Sequence, residues 1–168
     1  ELDRYLELAN RLLAQKGKAP LSRQVLAIGI NQLKALVDIC HHYGLAVILD
    51  TVYNHASGDI TSQPESIYFF DRASGTDPND SLYFTREDHT GPVFAFWNAD
   101  VRQFLIDNAR FFVEEYHVDG FRYDQVTVID RQNAGSGWMF CQHLNATVTT
   151  VDPAAVNIAE YWGPEPAV

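Results

Sequence analysis

Leu2, Leu6, Ala9, Leu12 and Leu13 recur at helical spacing through residues 2–15, and Gly17 and Pro20 close the segment, which predicts a first helix. Ile30, Leu33, Leu36, Val37 and Cys40 repeat the stripe over 30–43, with Gly44 as a stop. The unbroken apolar run Leu45 to Leu49 then predicts a short strand buried on both faces, and it ends abruptly in Asp50. From His55 to about Val93 the periodicity lapses into Gly, Ser, Asp, Asn, Pro and aromatic residues. Structureless loops of that length are uncommon, so the stretch is expected to be a small subdomain or lid inserted after the strand. "ADVRQFLIDNARFFVEEY" predicts the clearest helix, with Asp100 near its start and Val101, Phe104, Leu105, Asn108, Phe112 and Tyr116 along one face. "VDGFRYD" predicts a second strand, residues 138–150 a weaker helix, and "AVNIAEYW" a third strand.

Helices alternating with buried strands imply a parallel sheet with right-handed crossovers. Asp50, Asp124 and Glu160 each stand at the C-terminal end of a predicted strand, which fits a TIM-type barrel whose chemistry gathers on that face. A doubly wound open sheet is the alternative, but no G-x-G-x-x-G or phosphate-loop pattern follows any strand. At 168 residues and 46% apolar composition the chain is long enough to bury a core and reads as one domain. It begins at Glu1, without a methionine and as if inside a helix, so a piece of a larger domain is expected.

The formal charge of −10, with no basic cluster, leaves nucleic acid outside the expected partners. No stretch approaches the roughly 18 apolar residues of a membrane span, so a membrane is not an expected partner either. Cys40 and Cys141 form neither a disulfide framework nor a metal motif and are expected to be core thiols.

Two carboxylates at one barrel mouth can divide the work of glycoside cleavage, one attacking the anomeric carbon and the other protonating the departing oxygen. A nucleophile must stay ionised, and Arg122 lies two residues before Asp124, hence on the same face of the strand. Glu160 has no cation nearby in sequence and precedes Tyr161 and Trp162, surroundings that favour its protonated form and make it the acid candidate. Asp50 and His55 are suited to hydrogen-bond the hydroxyls of the bound ring, while Asn54 is expected to tie the strand end to the insertion. Taken singly, an acid at a strand end is usually a turn or cap residue, and an Arg two positions from an Asp is usually a structural ion pair. Their combination on three successive strand ends is what points to catalysis.

These residues resemble the α-amylase superfamily of glycosidases, glycoside hydrolase family 13. "DTVYNH", Asp50 to His55, is similar to the first signature, D-x-V-x-N-H, at the end of the third barrel strand. "GFRYD", Gly120 to Asp124, matches the second, G-F-R-x-D, on the fourth strand, and the glutamate of "IAEYW" falls where the fifth strand carries its acid. "FAFWNADVRQFL" resembles the stretch that closes the family's inserted second domain, with Asn98 at its asparagine. The resemblance implies an α/β fold, a partial (β/α)8 TIM barrel of about strands 3 to 5 with a small inserted subdomain after strand 3. Residues 1–54 and 98–168 would be barrel and 55–97 the insertion.

Carried over, the resemblance implies Asp124 as nucleophile, Glu160 as general acid and base, Arg122 as orienting cation, and Asp50 and His55 as sugar contacts. Tyr53 and Trp162 join the expected substrate-binding set, and Asn54 and Asn98 are expected to be structural residues near the site. The expected partner is an α-glucan, with no cofactor and no catalytic metal; a structural calcium near Asn54 and Asn98 is known in some members but not generally in branching-type ones. The family's third catalytic aspartate, in an H-D pair on the seventh strand, has no counterpart here, so the 168 residues alone are expected to be inactive.

Thr127 and Val128 stand where starch-cleaving α-amylases have a Lys-His pair, and only 69 positions separate His55 from Asp124. Both features resemble enzymes acting at or making α-1,6 branch points, with branching preferred over debranching. Two other classes compete. A catalytically silent glucan-binding relative would have little reason to keep Asp124, Arg122 and Glu160 together. A metal-dependent barrel enzyme using Asp50, His55, Asp124 and Glu160 as ligands would not need Arg122 aimed at the same spot.

Overall fold

The computed structural model describes residues 1–56, 81–85, 91–131 and 135–163, and within them the predicted alternation of helices and strands is present. Helix α1 spans Leu2–Gln15, a short α2 spans Arg23–Leu26, and α3 spans Gly29–His42. Strand β1 is Ile48–Thr51. Phe84–Thr85 and Val93–Phe94 pair antiparallel as β2 and β3. Most of the expected insertion at 55–97 lies outside the described residues. Helix α4 follows at Ala99–Tyr116, then β4 at Gly120–Tyr123, α5 at Val126–Asp130, α6 at Ser136–Val151 and β5 at Val156–Ala159.

The chain is an α/β protein with a small parallel sheet ordered β1-β4-β5. Period-two alternation gives this sheet two unlike faces. Leu49, Phe121 and Tyr123 look toward α4 and α6, where Val113, Phe140, Leu144 and Val148 close the core and the Phe96 and Phe140 rings meet at 5.0 Å. Ile48, Val156 and Ile158, on the opposite face, are exposed. The expectation that Leu45 to Leu49 forms a strand buried on both faces is therefore corrected. The strand starts only at Ile48, Leu45 is exposed, and β1 is an edge strand on which, among the described residues, helices pack on one side alone.

Helix α4 is capped by Asn98, whose side chain accepts the Asp100 N–H at 2.9 Å, so the cap is Asn98 rather than Asp100. It ends on left-handed His117, with the Val118 N–H returning to the Phe112 carbonyl. Its buried stripe is Val101, Leu105, Ile106, Ala109, Val113 and Tyr116, and Phe104 is exposed, because α6 packs along its flank and turns the contact face. In α3, likewise, Ala35 and Val37 are buried whereas Ile30 and Leu36 are exposed. Cys40 and Cys141 are free and half-buried; Cys141 packs against the core as expected, and burial lifts its thiol to about 12, which leaves it inert, whereas Cys40 is not part of that cluster.

Asp119 fixes the start of the sheet. Its Oδ2 accepts the Val47 N–H at 2.6 Å and lies 2.8 Å from His41 Nε2. Partial burial alone would raise this carboxyl, but those two bonds outweigh it and hold it below the ordinary carboxylate range. The stability it supplies is therefore complete above about pH 4 and is lost as pH falls through its lower folded value. Urea melts of Asp119→Ala should lie about 1 kcal/mol below wild type at pH 7, a modest figure for a carboxylate still partly in water, and should converge on it toward pH 3. A pH-independent gap would contradict this.

Candidate active site

Parallel pairing sets the level of every polar group at the C-terminal edge of the sheet. Asp50 is opposite Arg122, Arg122 is opposite Ile158, and Tyr123 is opposite Ala159. The ladder continues one step past the strands, since the Asp124 N–H donates to the Thr51 carbonyl at 2.9 Å and the Glu160 N–H to the Tyr123 carbonyl at 3.0 Å. Asp124 and Glu160 thus stand level with each other, and counting by two places them on the face that carries Asp50 and Arg122.

On that face one guanidinium gathers three acids. Arg122 Nη1 lies 2.8 Å from Asp50 Oδ1 and 3.1 Å from Asp124 Oδ1, while Nη2 lies 2.7 Å from Glu160 Oε1. The hydrogen bond it donates to Asp50 foremost, and the charges of Asp50 and Glu160, raise the Arg122 pKa beyond its already high value, so the cation is permanent. Asp124 and Glu160 side chains are each 24% exposed and Asp50 is 67% exposed, so the first two are largely covered and Asp50 lies at the open edge of the cluster. This corrects the expectation that Glu160 lacks a cation. Its partner comes from the neighbouring strand, which no count along the sequence could show.

Asn54 is fully buried. Its Nδ2 donates to the Asp124 carbonyl at 2.6 Å and to Asp124 Oδ2 at 3.2 Å. Its Oδ1 accepts from His55 Nδ1, which assigns the imidazole proton to that nitrogen. Asn54 therefore ties the β1 end to Asp124 by its side chain, while its backbone carbonyl, accepting the Phe94 N–H, reaches the insertion. His55 is half-buried and joins the cluster through Asn54. Asn54→Ala would leave the Asp124 carbonyl without its donor at a buried point and should cost about 1–3 kcal/mol in thermal or urea melts. A loss below about 0.5 kcal/mol, the scale of a neutral surface change, would contradict that reading.

Tyr53 is corrected outright. It is buried, its ring lies 5.8 Å from that of Tyr123, and its hydroxyl donates to Asn108 of α4 at 2.7 Å. Counting by two from Asp50 sends residues 51 and 53 to the helix side, so it lies beneath the sheet and not in the cleft. Asn98 bonds Leu82 and Asp100, and none of its bonds reaches a carboxylate of the cluster. Trp162 is 69% exposed, two residues beyond Glu160.

Two contributors escaped the sequence. Gln125, in a left-handed conformation at φ 41°, points its N–H at Glu160 Oε2 at 3.0 Å. Thr127, buried, accepts the Trp162 N–H on its hydroxyl at 2.6 Å. Nothing in the string announces a left-handed glutamine, whereas a threonine in an otherwise apolar "VTVI" run is a visible signal. Among the described residues no group of three His, Cys, Asp or Glu side chains is placed to hold a metal ion.

No family model matches the chain. A 1,4-alpha-glucan-branching enzyme of Yarrowia lipolytica is 35% identical over 116 residues, covering 66% of this chain and 16% of that protein. A 1,4-alpha-glucan branching enzyme of Mycobacterium sp. is 32% identical over 154 residues, covering 77% and 19%. Among solved structures, a pullulanase of Anoxybacillus sp. complexed with maltotetraose matches at a TM-score of 0.60 and 25% identity, covering 89% of this chain and 20% of that one. The chain thus spans 16% and 19% of the lengths of these two branching enzymes.

Proposed function

The chain belongs to the α-amylase superfamily, glycoside hydrolase family 13, and from that premise we propose that it supplies the nucleophile-and-acid half of a retaining α-glucan-active site of the 1,4-α-glucan branching type. The observation that carries the proposal is the Arg122 bridge, which holds Asp124 and Glu160 at one mouth. In the first step an Asp124 carboxylate oxygen attacks the anomeric carbon while Glu160, which Arg122 and the Gln125 N–H hold as a carboxylate in the free site and which is proposed to take up a proton when bound glucan parts it from Arg122, gives that proton to the departing glycosidic oxygen. In the second, Glu160 takes the proton of an acceptor 6-hydroxyl, which displaces Asp124 and leaves a new α-1,6 bond. Arg122 and the Asn54 amide hold Asp124 for in-line attack, and Asp50 and His55 are proposed to bond the hydroxyls of the ring being cleaved.

The strands are proposed to be the third to fifth of a (β/α)8 barrel, which the remaining strands and a third aspartate complete. Support comes from strands that follow chain order, β1-β4-β5, and from helices that, among the described residues, pack on one face, whereas a doubly wound sheet carries helices on both. The reaction is proposed without a metal. Debranching is the second reading, favoured by the pullulanase likeness and by a Trp two residues after the acid.

Product analysis of the complete barrel carrying these residues separates the two. New α-1,6 linkages on amylose with few released reducing ends are expected. Cleavage of α-1,6 bonds in pullulan without such linkages would favour debranching, and no action on any α-glucan would overturn both. The 168-residue chain by itself is expected to turn over nothing detectable.

A further inference from the structure

The short helix α5 follows Asp124 directly and holds the loop that bears Glu160. The Val126 N–H donates to the Glu160 carbonyl at 2.9 Å, Thr127 Oγ1 accepts the Trp162 N–H at 2.6 Å, and Asp130 Oδ2 accepts the Tyr161 hydroxyl at 3.1 Å. Left-handed Gln125, at the start of this turn, adds its N–H to the Glu160 carboxylate. A side chain other than glycine adopts that conformation at a cost, and here the conformation is what aims the N–H.

We infer that Thr127 is a positioning residue, whose hydroxyl clamps the Glu160–Trp162 loop to the Asp124 loop and so sets the Trp162 ring as one wall of the cleft. The side chain of Thr127 is buried and its hydroxyl is already engaged, so it acts through Trp162 and not on a ligand. The hydroxyl is used here to fix an aromatic residue, whose ring can take a sugar by stacking and not by charge. Trp162, exposed near the acid, would then offer its ring to a bound sugar. The inference rests on the α-glucan reading only for the identity of that ligand.

The test compares wild type, Thr127→Val and Thr127→Ser by amide hydrogen exchange and by quenching of Trp162 emission with maltotetraose, the signal being assigned with Trp162→Phe. Valine keeps the shape and removes the acceptor; serine restores it. The Trp162 and Gln125 amides should exchange about tenfold faster in Thr127→Val, with α4 amides unchanged and with wild-type rates regained in Thr127→Ser. Maltotetraose quenching should weaken in step and be rescued by serine. A Trp162 amide that is unprotected in wild type, or equally protected in Thr127→Val, overturns the inference. Exchange as expected but no maltotetraose quenching in wild type leaves the clamp standing and removes the glucan reading.

Discussion

Arg122→Gln is expected to lower glycosyl transfer by the complete barrel about a thousandfold or more, with the fold retained. Three carboxylates converge on this one guanidinium, at 2.7 to 3.1 Å. A neutral amide leaves them facing one another, and like charges so close move apart or take up protons, either of which ruins a nucleophile. Arg122→Lys should fall between, about a hundredfold down, because one ammonium cannot reproduce two nitrogens aimed at acids on three different strands. Single-turnover transfer rates, with circular dichroism as the check on folding, decide the matter. A Gln variant within tenfold of wild type would mean that the bridge is only a structural ion pair.

Gly120→Ala is expected to destabilise the chain by about 3 kcal/mol or more, or to prevent folding, since the large effects of single substitutions come from clashes that the core cannot relieve. Gly120 lies in the central strand, and a Cβ there would overlap the carbonyl oxygen and the nitrogen of Val156. Those atoms cannot yield cheaply, because the Val156 N–H donates to the Asp119 carbonyl at 2.8 Å and opens the β4–β5 pairing. Any relief pushes β5 outward, and β5 carries Glu160. Thermal melts test the stability, and loss of protection at the Glu160 amide tests the displacement. A stable Gly120→Ala with that amide still protected would show that the two strands have room to part.

Much of this was legible before any coordinates. The stripe through residues 2–15 marks α1, and three acids at three strand ends mark the carboxylate cluster around Arg122, because periodicity and strand ends are local properties. What each stripe faces is not local. Phe104 and Ile30 were expected inside and are exposed, since the neighbours of a helix decide which flank is covered. Ile48 shows the same limit in a strand: an apolar run reads as buried on both sides, yet helices cover only one. Tyr53 is readable from the sequence, because the period of two that puts Asp50 on the face of the acids puts Tyr53 on the helix side. The sharing of Arg122 among three acids depends on register between strands, and the aim of the Gln125 N–H depends on one backbone angle. Neither is written in residue types.

The most direct test of the account is to trap the covalent intermediate. The complete barrel would be treated with a fluorinated α-glucosyl fluoride, a substrate that forms the glycosyl–enzyme quickly and hydrolyses slowly, and its peptides read by mass spectrometry. The account predicts one added glycosyl unit, on Asp124, and none in Arg122→Gln. A label on any other residue, or none while glucan is still being transferred, would contradict it.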